Sequence, residues 1–74
     1  MTTTVLDVTG MTCGHCAQSV TEEISGIDGV TSVDVDLVAG GTSPVTVTSQ
    51  APLAQDALRA AVAEAGYELT AVRA

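Results

Sequence analysis

The chain has no Lys, Phe or Trp, a single Tyr, a single His and only two Cys among its 74 residues. Each absence excludes something. With no Lys, only Arg59 and Arg73 oppose nine acids, and the net charge of −7 sets up a field that repels phosphate backbones and anionic headgroups. Nucleic acid and membrane surfaces are therefore poor partners, and a basic protein surface is a good one. Without Phe or Trp, the core must be built from Val, Leu, Ile and Ala, within an apolar fraction of 46%. No stretch approaches the run of about 18 apolar residues that a membrane helix needs. The N-terminus Met1-Thr2-Thr3-Thr4-Val5 lacks the basic and apolar regions of a signal peptide. The expectation is a soluble, unprocessed, cytoplasmic chain without membrane insertion, folding as a single domain over residues 1–74. A domain of this length buries only about 60% of its unfolded surface, so a bound metal would be a useful source of stability.

What is present is patterned. Thr3 to Val8 alternates, with Leu6 and Val8 on one face and Val5 and Asp7 on the other, which predicts a first strand broken by Thr9-Gly10. From about Cys16, apolar residues Ala17, Val20, Ile24 and Ile27 recur at spacings of three and four, predicting an amphipathic helix that ends near Gly26 to Gly29. Val30 to Val38 again alternates, with Val33, Val35 and Leu37 opposite Asp34 and Asp36, as in a strand wet on one side. Ala39 to Pro44 is rich in turn formers, and Val45, Val47 and Ser49 resume the alternation, so a hairpin is expected there. Pro52 suits a first helical turn, followed by Leu53, Ala57, Leu58, Ala61, Val62 and Ala65, with Gly66 closing the helix. Tyr67 to Val72 completes the set as a last strand, with Leu69 inward. Strand, helix, strand, strand, helix, strand is the order of an α+β, ferredoxin-like βαββαβ sandwich, a four-stranded antiparallel sheet with two helices on one face.

Both cysteines and the only histidine fall in one stretch, Gly10-Met11-Thr12-Cys13-Gly14-His15-Cys16, where the first strand gives way to the first helix. Two thiols separated by two residues can converge on one soft metal ion or close into a disulfide. In a reducing compartment they stay thiols, which favours metal or redox work over a structural bridge. Thiolates are the soft ligands that Cu(I) prefers, and Cys13 and Cys16 suffice for it because a d¹⁰ monovalent ion accepts two-coordinate geometry. A closed zinc site wants four ligands, and beyond the cysteines only His15 and carboxylates are on offer. Dithiol/disulfide oxidoreductase chemistry is the alternative, weakened because such motifs belong to a parallel βαβ core that this strand pattern lacks. Inert packing is the remaining reading of the pair.

Gly-Met-Thr-Cys-Gly-His-Cys resembles the Gly-Met-x-Cys-x-x-Cys signature of heavy-metal-associated domains, and its His before the second Cys resembles the small bacterial copper chaperones among them. The resemblance extends over nearly the whole chain, with Gly29-Val30 and Gly66-Tyr67 where that family begins its second and fourth strands. It implies a non-enzymatic copper chaperone with one Cu(I) per monomer, held by Cys13 and Cys16. The partner implied is a copper-transporting P-type ATPase or a copper-responsive regulator, and the chain would be a monomer without metal, with a copper-bridged dimer open to it. A metal-binding module excised from a larger transporter is a further reading, against which Met1 and the compact ends argue. Members that handle zinc or cadmium often have an acid directly before the first Cys; Thr12 stands there, which points to Cu(I). Tyr67 falls in a loop beside the site, where bacterial members commonly have Tyr, and its hydroxyl could reach the thiolates or its ring could simply cover the first helix.

For the neighbours of the pair the plainer readings are preferred. His15, between the cysteines, is expected to point to solvent and tune local charge rather than ligate. Met11 offers a thioether but is expected to pack beneath the loop. Glu22, Glu23, Asp34 and Asp36 read first as solvated faces and second as a docking surface. No carboxylate pair, Ser/His/Asp set or phosphate loop suggests catalysis.

Overall fold

Period-two alternation and period-3.6 stripes resolve into six elements in a computed structural model that describes residues 1–73. They are β1 (Thr2–Thr9), α1 (Gly14–Ser25), β2 (Val30–Val35), β3 (Thr42–Ser49), α2 (Gln55–Glu64) and β4 (Glu68–Arg73). The strands form one antiparallel sheet in the order β2-β3-β1-β4, so the ferredoxin-like βαββαβ arrangement expected from the sequence is the one adopted. α1 packs against β2, α2 against β4, and the helices touch each other.

The inward residues of the two central strands carry the core. Leu6 and Val8 of β1 and Val45 and Val47 of β3 are fully buried, together with Val20 and Ile24 of α1 and Leu58 and Val62 of α2. Val33 and Val35, which alternation places inward, are only half-buried because β2 is an edge strand with a neighbour on one side alone. Their expected share of the core is taken by the β3 valines. Such a core of aliphatic side chains holds by many small dispersion contacts and a well-filled interior rather than by a few large rings.

Several boundaries differ from those expected from the sequence. β2 ends at Val35 rather than Val38, and β3 starts at Thr42, so Ser43 and Pro44 lie inside a central strand and not in the turn. Pro44 is tolerated there because its carbonyl accepts from the Asp36 N–H on the β2 side. In an antiparallel strand a residue's N–H points to the same side as its carbonyl, so the donor Pro lacks faces the point where β2 is ending and leaves the ladder to β1 intact. Pro52 is outside α2, whose first turn is instead set by the Ala54 carbonyl accepting from the Ala57 and Leu58 N–H groups (3.1 and 3.2 Å). α1 begins at Gly14, three residues before Ala17, the first apolar position that reveals its stripe.

At the far end of α2 the Gly66 N–H bonds to the Ala63 carbonyl (2.9 Å) and the Tyr67 N–H to the Val62 carbonyl (3.1 Å). These paired bonds form a Schellman cap that swings the chain into β4 and sets Tyr67 against the core. On the outer face of the sheet Arg73 pairs with Asp7 at 2.6 Å, closing β4 onto β1; with the Arg73 side chain 60% exposed, this pair adds little to stability.

The central strands should dominate stability. Leu6→Ala is expected to cost about 2–5 kcal/mol in urea unfolding, and Val35→Ala on the edge strand less than half of that loss. Equal losses at the two positions would show that the sheet edge is as tightly packed as its middle.

Candidate metal centre

The turn between β1 and α1 is anchored from below and open above. Met11 is fully buried in the core, whereas Thr12, Cys13, Gly14 and His15 are exposed. An apolar side chain driven inward immediately before a polar run fixes where the loop is rooted without covering it. Cys13 is the N-cap of α1 in extended backbone (φ −153, ψ 174), with no side-chain capping bond. Its carbonyl accepts from the Cys16 N–H (3.1 Å) and the Ala17 N–H (3.3 Å), and this first turn brings Cys13 and Cys16 to one side. Their sulfurs lie 3.5 Å apart. Both thiols are free; Cys13 is exposed and Cys16 is half-buried against the core.

The two sulfurs are not equivalent. The Cys16 thiol is lowered to about 6, first by the backbone amide of Thr12, then by the Tyr67 hydroxyl and by the side chain and backbone of Cys13, with partial burial opposing. Donors that stabilise the thiolate lower its proton affinity. Thr12 and Cys13 act from the loop before the helix and Tyr67 from the turn between α2 and β4, so two parts of the fold together make Cys16 acidic. Thr12 also places its Oγ1 3.9 Å from the Cys16 sulfur. Tyr67 acts at longer range without a closed hydrogen bond to the sulfur, and in return its phenol is raised, chiefly by Cys16 and next by burial and the charge of the two sulfurs. A phenol beside a thiolate keeps its proton and remains a donor.

The remaining candidates fall into place around this pair. His15 is exposed on the first turn of α1. The Met11 thioether is packed in the core. The Tyr67 ring is half-buried and lies so close to Gly10 that a Cβ there would be 3.3 Å from its Cδ1, so the glycine of the motif makes room for the ring. Glu22 and Glu23 are exposed along α1, and Asp34 and Asp36 along the outer edge of the sheet. Among the described residues no three His, Cys, Asp or Glu side chains gather as a chelating group, so the chemistry available is that of two sulfurs and not of a closed tetrahedral site. Among the described residues no helix is long and apolar enough to cross a membrane. Two participants escaped the sequence reading, Thr12 as the main influence on Cys16 and Gly40, whose N–H donates to the Met11 carbonyl at 3.3 Å. The first follows from its position just before an N-cap, whereas the second depends on a contact between distant residues that local pattern does not reveal.

Residues 5–68 match the family described as heavy-metal-associated domain. The copper chaperone CopZ of Staphylococcus aureus is 38% identical over 69 residues, covering 93% of this chain and 98% of its own. Among solved structures, a CopZ metallochaperone superposes with a TM-score of 0.80 at 36% identity, covering 93% of this chain and all of that one. A yeast copper transporter domain, solved in apo and Cu(I)-loaded states, superposes at 0.75 with 25% identity, covering 93% and 94% of the two chains. Motif, fold and relatives agree, and the chain belongs to the heavy-metal-associated domain family as a homologue of the CopZ copper chaperones.

Proposed function

We propose that this chain is a cytoplasmic Cu(I) carrier, a single domain that binds one ion between Cys13 and Cys16 and passes it to a partner with a similar dithiol site. The observation that carries the reading is the pair of free sulfurs 3.5 Å apart on an exposed turn, one of them already acidic. Soft thiolates suit Cu(I), and a site with two protein ligands leaves the ion open to an incoming third. Hand-over would then run by ligand exchange. An incoming thiolate of the partner adds to the ion before Cys13 or Cys16 leaves, the ion passes through three-coordinate states, and it is never free. Cys13, the more exposed sulfur, is the one expected to yield first. No bond in the protein is oxidised or reduced, so the chain acts as a carrier and not as an enzyme. A dithiol must stay reduced to bind Cu(I), a requirement that a reducing compartment such as the cytoplasm meets.

The same free and acidic dithiol favours a second reading, dithiol/disulfide exchange, since an acidic thiolate close to its neighbour is also what a redox pair requires. Titration of the reduced protein with Cu(I), Zn(II) and Hg(II) against chelators of known strength, beside an assay of disulfide exchange, separates the two. Tight Cu(I) binding lost in Cys13→Ser or Cys16→Ser with the fold retained is the expected result; a double Cys variant that keeps full affinity would end the reading. His15→Ala is expected to change Cu(I) affinity by well under about 100-fold, roughly 2.7 kcal/mol.

The receiver proposed is a copper-transporting P-type ATPase or a copper-responsive regulator that meets this chain through a basic surface, the chain itself being a monomer without metal and able to form a copper-bridged dimer. The support is the net charge of −7 and the exposed Glu22 and Glu23 on the helix that begins at the dithiol loop. Attraction between exposed charges is screened over about 8 Å at physiological ionic strength. Transfer should therefore slow as salt is added, and slow again in the Glu22→Gln, Glu23→Gln double variant, with Cu(I) affinity unchanged. Transfer rates indifferent to both would reduce the acidic surface to a solubility feature.

A further inference from the structure

The β2–β3 connection reaches back to the dithiol loop through a chain of hydrogen bonds that starts at one buried hydroxyl. Ser43 is fully buried at the start of β3, a position where an unpaired hydroxyl would be costly. Its Oγ accepts from the Val38 N–H at 2.9 Å and donates to the Val38 carbonyl at 3.3 Å. The Val38 carbonyl also accepts from the Gly41 N–H at 3.1 Å, closing a tight turn over residues 38–41. Gly40 holds the third position of that turn at φ +74, in the left-handed region that side chains with a Cβ avoid. Both polar ends of Val38 are thereby fixed, although the residue is 45% exposed, so the turn is held by its backbone bonds and not by burial.

This turn presents the Gly40 N–H to the Met11 carbonyl at 3.3 Å. The contact continues the register in which Val8 faces Ser43 and Thr9 faces Thr42, two residues beyond the end of β1. Among the described residues it is the one backbone bond that ties residues 10–13 to a part of the fold beyond the adjoining first turn of α1. The remaining backbone bonds of the loop run from Cys16 and Ala17 to the Cys13 carbonyl and so close within the turn itself. The Met11 side chain roots the loop in the core, but a single unbranched side chain leaves the following peptide free to swivel. The bond to its carbonyl removes that freedom.

We propose that Ser43 is a positioning residue for the dithiol loop: by clamping both polar ends of Val38 it holds the 38–41 turn in the one arrangement that keeps Gly40 bonded to Met11. Loss of the clamp lets the root of the loop move, and a metal ion that needs both sulfurs must then restrict that motion on binding, which weakens affinity. This inference rests on the reading of Cys13 and Cys16 as Cu(I) ligands. Positioning partners outside the ligand set commonly matter by about 10–100-fold in metal affinity, and Ser43, acting through two further bonds, belongs at the lower end.

The fold supplies an internal control. Ser49, at the other end of the same strand, is equally buried and donates to the Ala51 carbonyl at 2.7 Å, but it lies six residues along β3 from Ser43 and contacts neither the turn nor the loop. Ser43→Ala and Ser49→Ala remove the same hydroxyl from the same degree of burial. In the reduced, metal-free protein, hydrogen exchange at the Gly40 amide should quicken about tenfold in Ser43→Ala while the amide of Val47 changes no more than in Ser49→Ala. Cu(I) competition against a chelator should then show an affinity loss of about tenfold in Ser43→Ala and near wild-type affinity in Ser49→Ala. Equal effects of the two variants on Cu(I) affinity, or an unchanged Gly40 amide in Ser43→Ala, would overturn the proposal. Wild-type protein that fails to bind Cu(I) would instead remove the carrier reading, an outcome separable because the exchange measurement needs no metal.

Discussion

Burial of the Met11 side chain is the contact on which the metal end of this protein depends, because it roots an otherwise exposed turn in the aliphatic core immediately before the two cysteines. A carrier's site faces opposing demands. Its sulfurs must be exposed enough for another protein's thiolates to reach, yet held closely enough to meet one ion. Anchoring the loop through the residue that precedes it, rather than through the ligands, satisfies both. Cys13 remains exposed, Cys16 is only half-buried, and the sulfurs nevertheless stand 3.5 Å apart.

Electrostatics act on the same few residues. In a chain of net charge −7 with no Lys, a thiolate would gain little from neighbouring cations. Both arginines are engaged elsewhere, Arg73 with Asp7 and Arg59 with the Leu69 carbonyl. The Cys16 thiolate is stabilised by dipoles instead, above all the Thr12 amide and then the Tyr67 hydroxyl. Dipoles fixed by the fold do this without adding a positive charge to the site, so the net negative charge of the chain's surface is left undiminished. That surface is what the proposed basic receiver would meet.

Much of this was legible in the sequence, and the parts that were not share a cause. Leu6 and Val8, the stripe of Val20 and Ile24, and the cap at Gly66 are set by local pattern, and the structure has them where pattern puts them. The spacing of Cys13 and Cys16 at the junction of a strand and a helix was equally plain. Ser43 and Pro44 read as turn residues because their chemistry favours turns, yet both are in a central strand, one with its hydroxyl bonded back to Val38 and the other with its missing donor turned toward the end of β2. Val33 and Val35 alternate like core residues but sit on an edge, a fact of strand order and not of composition. Thr12 and Gly40 gain their roles only from neighbours brought close by folding.

The central claim is that Cu(I) is held by a dithiolate in which Cys16 gives up its proton far below the ordinary thiol range. Metal and protons compete for the same sulfur. The most direct test is the Cu(I) affinity of the reduced protein, followed by chelator competition from pH 8.5 down to pH 5. Because Cys16 is ionised above about 6, no proton has to leave this sulfur there. Below that value each pH unit should cost a further factor of about ten from Cys16 alone, giving a break near pH 6. An affinity independent of pH through this range, or a profile that bends only near the ordinary thiol value of about 8.5, would contradict the account.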